Sequence, residues 1–241
     1  MRFMVMHKVD AKMEAGGPPD PEIISKMGAL VQGSLRQGVF LNGAGLHRSA
    51  QRARLECRGG QCQVTRGPYS GKNELVAAFT MISAKSMNDA IEHAKTLGGK
   101  LGDVDIEVGP VVEPWDLGLM AKPERAPERF LLLTKATPSD EEANTAQRHA
   151  IAVKDLAATL PADAAVLAAD SLAPSAKGAR LGADKAGKRV WLDGPFTESK
   201  ELIAGFSLLE LPSKADAIQW ADRYAAILVD AEVDVREVNP V

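Results

Sequence analysis

A carboxylate stands at a sharp corner in the second half of the chain. The stretch LDGPFTESKELIAGF, residues 192–206, places Asp193 directly before Gly194-Pro195. An aspartate at a turn commonly accepts a hydrogen bond from the backbone N–H two residues on, but Pro195 has no N–H. Two interpretations of Asp193 therefore stay open. It is either a ligand-facing or catalytic group, or a structural carboxylate bound to a cation or to a later amide.

The corner belongs to a sequence that occurs twice. The segment VTRGPYSGKNELVAAFTMISAKSMNDAI from Val64 matches WLDGPFTESKELIAGFSLLELPSKADAI from Trp191 at 10 of 28 positions, with a shift of 127 residues. LHRSAQRARL from Leu46 matches LAPSAKGARL from Leu172 at six of ten positions, with a shift of 126. Matches this long and collinear indicate an internal duplication.

The duplication separates residues that the fold needs from residues that it does not. The Gly-Pro pair is present in both copies, whereas Asp193 is replaced by Arg66 in the first copy. The turn itself therefore does not require the acid.

Basic residues of both copies are candidates for ligand binding. Arg54 and Arg180 occupy equivalent positions within a strand. A guanidinium can hold a carboxylate ligand through two parallel hydrogen bonds. The same arginines can instead pair with the glutamates Glu74 and Glu201, which are also present in both copies. His47 lies at the end of the predicted strand that precedes the strand of Arg54. Its side chain either faces a ligand cleft beside Arg66 or lies at a solvated strand end.

Each half reads as the same succession of elements. Short apolar strands at residues 3–6 and 130–133 open the halves, and each is followed by a helical pattern. Ser86 and Ser213 are predicted to cap the second helix, with Asp89 and Asp216 three residues on. The order β-α-β-β(-β)-α-β predicts an α+β protein with two tandem ferredoxin-like domains.

We expect domains at residues 1–112 and 129–241, joined by a linker at 113–128 that carries prolines and charges. A ferredoxin-like domain leaves one sheet face bare. Two copies can bury their bare faces against each other, which predicts a pseudo-dimeric α/β barrel with a ligand cleft between the sheets. A further homodimer stays possible because fusion of two copies does not exclude it.

Composition narrows the functional classes. The 241 residues carry 29 basic and 32 acidic side chains, so neither nucleic acid nor a membrane surface is an expected partner. No signal peptide or membrane span is apparent, and we expect a cytoplasmic protein. Walker, dinucleotide-binding and serine-hydrolase motifs are absent from the sequence, and no cofactor is expected.

The two cysteines fall in one predicted hairpin. If Gly59-Gly60 is a two-residue turn, Cys57 lies directly opposite Cys62, close enough to form a disulfide. In a cytoplasmic protein we expect two reduced thiols, with a disulfide as the alternative. No further cysteine or well-spaced histidine completes a metal site.

The corner sequence LDGPFTESKELIAGFSLLEL resembles the signature of DGPF proteins, a branch of the YCII-related family, and TRGPYSGKNELVAAF resembles a diverged copy. The resemblance implies a dimeric α/β barrel. Some relatives are similar to dehydrochlorinases with a His and Asp pair as the proposed acid/base. The resemblance implies that Asp193 is the aspartate of the motif. A short local match implies that His149 is the histidine of the pair.

Three functional hypotheses follow from these observations. The first is a cofactor-free lyase or hydrolase in which Asp193 and His149 exchange a proton while Arg180 holds an acidic or hydroxylated molecule. The second is a protein that binds a small ligand or regulates a partner without catalysis. A heme- or oxygen-using barrel is a third hypothesis, and it requires His7 or His47 in the cavity.

Overall fold

A computed structural model describes most of the chain. The described residues are 1–9, 11–17, 20–72, 74–124, 126–142, 146–183, 187–196, 202–229 and 231–239.

Among its described residues, the N-terminal half contains six strands and three α-helices: β1 (Arg2–Lys8), α1 (Ala11–Glu14), α2 (Pro21–Arg36), β2 (Phe40–Leu46), β3 (Ala53–Arg58), β4 (Gln61–Arg66), β5 (Val76–Ala84), α3 (Met87–Leu101) and β6 (Val104–Val112). The C-terminal half repeats this order with β7 (Glu128–Lys135), α4 (Pro138–Glu142), α5 (Ala146–Thr159), β8 (Ala165–Ser171), β9 (Ala179–Ala183), β10 (Arg189–Asp193), β11 (Ile203–Glu210), α6 (Lys214–Leu228) and β12 (Val233–Glu237).

Helix starts follow the local sequence. Ser86 and Ser213 accept hydrogen bonds from the backbone N–H groups of Asp89 and Asp216, so both predicted caps are confirmed. Asp20 caps α2 by accepting from the N–H of Glu22.

The strands form one large antiparallel sheet of repeated βαββ-like units, and the α+β class is confirmed. The strand order is β10-β9-β12-β1-β11-β2-β6-β7-β5-β8, with β3 beside β6 and β4 beside β3.

The two halves exchange their first strands. β1 lies between β11 and β12 of the other half, while β7 lies between β5 and β6. Alternate residues of β1 therefore contact different cores. Phe3 and Val5 face α6, and Met4 and Met6 enter an apolar cluster shared by both halves.

The predicted closed barrel is wrong. The strand path ends at β8 and does not return to β10. Within the described residues, β8 and β12 approach at a single bridge between Leu172 and Val238, while β2 and β6 pair at two positions. The bridge lies just beyond the last residues of β8 and β12, so these two strands are not joined by a ladder of paired residues in the described part of the chain.

Candidate functional site

The corner aspartate is engaged at the surface. Asp193 ends β10, its side chain is 82% exposed, and its carboxylate accepts a hydrogen bond from Lys214 Nζ at 2.7 Å. Lys214 is the first residue of α6. In the other half, Arg66 donates to the Asn88 side chain in the first turn of α3. Both contacts tie the end of a strand to the start of the following helix.

The Gly-Pro corner has a packing requirement of its own. A Cβ atom on Gly67 would lie 1.7 Å from the carbonyl oxygen of Ser49, and one on Gly194 would lie 1.9 Å from that of Ser175. No side chain fits at either distance. The glycines are shared by the two copies because the backbones touch there.

His149 lies inside the protein and away from Asp193. It is 5% exposed on α5, and its Nε2 lies 3.3 Å from the hydroxyl of Thr80 on β5. Burial, followed by the charge of Arg148, lowers the pKa of His149 to about 4. β5 and β10 are near opposite ends of the strand order. The structure therefore does not bring the two predicted acid/base residues together.

Arg54 and Arg180 are held by carboxylates. Arg54 donates to Glu74 at 2.7 Å, which confirms the predicted pairing, while Glu201 lies outside the described residues. Arg180 makes a two-bond contact with Asp234, at 2.6 and 2.9 Å. The guanidinium carbons lie 4.5 Å from the ring centres of Tyr69 and Phe196, respectively. Both arginines thus serve buried ion pairs.

A cavity of about 350 Å³ lies where β1, α1 and the linker meet, and we term it the linker cavity. Its apolar wall comes from Val9, Met13, Ile23, Leu46, Val112, Leu117, Leu228 and Ala231. The polar lining includes Lys12, Arg48 and Arg52 with the acids Asp20 and Asp116. Gln51, His7 and His47 also contribute to the polar lining.

The two cavity histidines have fixed partners. His47 Nε2 lies 3.3 Å from the Asp116 carboxylate, and both side chains are partly exposed. His7 Nδ1 lies 2.6 Å from the hydroxyl of Tyr224. Burial raises the pKa of Tyr224, so the phenol remains neutral and can donate to the imidazole. The cavity thus contains the Asp–His proximity that the sequence assigned to Asp193 and His149.

Arg52 forms the inner wall of the cavity. Its Nε donates to the backbone oxygen of His47 at 2.5 Å, and its Nη1 donates to Glu107 at 2.9 Å and to the Ile203 carbonyl at 2.7 Å. The side chain is 0% exposed. Among the described residues, Nη2 has no hydrogen-bond acceptor.

Sequence reasoning missed Lys12, Arg48, Arg52 and Asp116. A signal for three of them was present, because the duplication aligns Lys12 with Ser139, Arg48 with Pro174 and Arg52 with Gly178. Positions that differ between copies are free of the common fold requirement. Asp116 had no such signal because the linker has no second copy.

The described residues do not support a metal site or a membrane-spanning helix. In the described part of the chain, no group of three or more His, Cys, Asp or Glu side chains could hold a metal ion. No described helix is long and apolar enough to cross a membrane.

Cys57 and Cys62 form a disulfide across the β3–β4 pair, which is the alternative to the expected reduced thiols.

Comparison with known proteins identifies one domain. Residues 129–240 match the model of the YCII-related domain, so the C-terminal half carries such a domain. The match does not extend to the N-terminal half. No curated protein and no solved structure gives a significant match to the chain.

Proposed function

We propose that the protein binds one small organic molecule in the linker cavity. The observation that carries this proposal is the composition of the cavity, an apolar wall with His7, His47 and Arg52 converging on a volume of about 350 Å³. Ligand sites in proteins are concave, largely apolar and fitted with a few polar groups that orient the ligand.

The difference between the two copies supports a functional origin for the cavity. His7, His47 and Arg48 align with Thr134, Ala173 and Pro174. Both halves fold with the same elements, so these polar groups are not needed to build the sheet. We propose on the same grounds that residues 1–112 are a diverged second copy of the YCII-related domain, supported by the common element order and the equivalent corners.

Ligand-observed NMR with a mixture of small aromatic and aliphatic molecules tests the proposal. Wild-type protein should broaden the signals of some of them, and Ile23→Trp, which fills the cavity from α2, should abolish the effect. Leu35→Trp is the matched control, since Leu35 is on the same helix, 49% exposed and outside the cavity lining. Equal binding by wild type and Ile23→Trp would contradict the assignment of the site.

Proton transfer on the bound molecule is a second candidate function, which would make the protein a cofactor-free lyase or hydrolase. The pairing of His47 with Asp116 favours it, because a carboxylate that holds one imidazole nitrogen leaves the other free to act as a base. Deuterium uptake from D₂O into phenylpyruvate, measured by NMR, tests for such a base. Wild type should exceed Asp116→Asn at least tenfold, and equal rates would rule this candidate out.

A further inference from the structure

A buried ionic cluster adjoins the inner wall of the linker cavity. Glu107 contacts Arg52 at 2.9 Å, Lys135 at 3.6 Å and Arg54 at 3.7 Å. Glu74 pairs with both Arg54 and Lys135. Each of these five side chains is at most 6% exposed. Water therefore screens their charges poorly.

The cluster has more positive than negative charge. Burial raises the pKa of Glu107, but Lys135 and Arg52 more than offset this, and the pKa lies below its usual value. Glu107 is therefore ionised at neutral pH. Among the described residues, three cations share two carboxylates, which leaves one uncompensated positive charge. A buried charge without a counterion is costly, so an anion placed beside it is stabilised.

The equivalent cluster in the other half has an additional acid. Arg236 aligns with Gly109, and Arg52 aligns with Gly178. Each arginine lies over the glycine that replaces the other arginine, Arg52 over Gly109 and Arg236 over Gly178. Arg236 donates to the Ala173 carbonyl as Arg52 does to that of His47. Glu141 lies 3.5 Å from Arg236. Its counterpart Glu14 accepts hydrogen bonds from the backbone N–H and hydroxyl of Ser49, as Glu141 accepts one from the N–H of Ser175. Among the described residues, however, Glu14 makes no ion pair with Arg52.

Within the described part of the chain, the two acids that line the cavity are bound by protein donors. Asp20 accepts from the Glu22 N–H at 2.9 Å, and Asp116 accepts from the Glu113 N–H at 2.8 Å besides contacting His47. On the basic side, Arg48 makes one 3.4 Å contact with a backbone carbonyl. Arg48 is thus more available to a ligand than these two acids.

We infer that the linker cavity binds a carboxylate with an apolar body, one molecule per chain, its charged end towards Arg48 and Arg52 and its body on the apolar wall. This inference rests on the proposed function. The stoichiometry follows because the second half has Ala173 and Pro174 where His47 and Arg48 stand, and because the linker, which contributes Asp116 and Leu117 to the cavity, has no second copy.

Calorimetric titration with phenylacetate and phenylacetamide tests the inference, since the two probes have the same shape and differ in charge. Phenylacetate should bind at least about tenfold more tightly, with one molecule per chain, and its affinity should fall as salt is raised. Arg48→Gln should weaken phenylacetate binding several-fold and leave phenylacetamide unchanged. Lys95→Gln, which removes one positive charge from α3 outside the cavity, should change neither affinity.

The other possible results of the titration distinguish failure of this inference from failure of the proposed function. Equal affinity for both probes would overturn anion recognition while the proposed binding function stands. Two molecules of phenylacetate per chain would overturn the single site. Binding of neither probe would count against the proposed function as well. Arg48 is exposed, so the decisive variant does not depend on replacing a buried side chain.

Discussion

Asp193 and Lys214 form an ion pair of 2.7 Å at the surface, between the end of β10 and the start of α6. Lys214 is thus the hydrogen-bond donor to Asp193, whose usual backbone donor is absent because Pro195 has no N–H. This contact also means that the acid at the corner is explained without a ligand, as Arg66 is explained by its contact with Asn88.

Asp193→Asn is expected to leave ligand binding unchanged and to lower the free energy of unfolding by at most about 1 kcal/mol, as for other exposed ion pairs. Urea denaturation gives the stability and titration with phenylacetate gives the binding. Lys214→Met should have a similar effect, and the double variant should cost less than the sum. Loss of binding in Asp193→Asn at unchanged stability would place the corner in the functional site.

The glycine of the corner is expected to be much less tolerant than the aspartate. In Gly194→Ala the new Cβ would lie 1.9 Å from the Ser175 carbonyl oxygen, so the backbone must move, at a cost of about 3 kcal/mol. The urea midpoint should fall at an unchanged slope. Gly99→Ala, where no atom lies within 4 Å of the added Cβ, should instead stabilise α3 by about 0.5–1 kcal/mol. Similar stabilities for the two variants would contradict this account.

The sequence predicted much of the local structure. Helix caps at Ser86 and Ser213 follow from short segments, whose interactions are local. The structural role of the corner glycines follows from their presence in both copies. The exchange of β1 and β7 does not follow from such segments. Because the halves are copies, each first strand has the same short apolar run, and either sheet section could accept it.

The candidate site was harder to predict because its residues are far apart in the sequence. The contact between His47 and Asp116 joins residues 69 positions apart and depends on where the linker crosses the surface. His149, by contrast, was assigned from a short local match. Helical periodicity alone did not reveal that it faces Thr80 in the core.

The buried histidine predicts a pH dependence of stability. The pKa of His149 is about 4 in the folded protein and about 6.5 when unfolded, so the unfolded chain binds more protons between these values. Stability should therefore fall as pH decreases from about 6.5 to 4, by up to about 3 kcal/mol. Urea denaturation across this range should show a weaker dependence in His149→Gln. His93→Gln should retain the slope because His149 is still present, and identical slopes in all three proteins would refute the assignment.

Strand exchange predicts that neither half folds alone. In a chain divided into fragments 1–121 and 122–241, β1 would lose β11 and β12, and β7 would lose β5 and β6. Each fragment alone should lack cooperative thermal unfolding, because the central strand of its own sheet section is on the other fragment. Coexpressed fragments should copurify in a 1:1 ratio and regain a single transition by circular dichroism. A monomeric fragment 122–241 that unfolds cooperatively would show instead that the YCII-related domain can accommodate its own first strand.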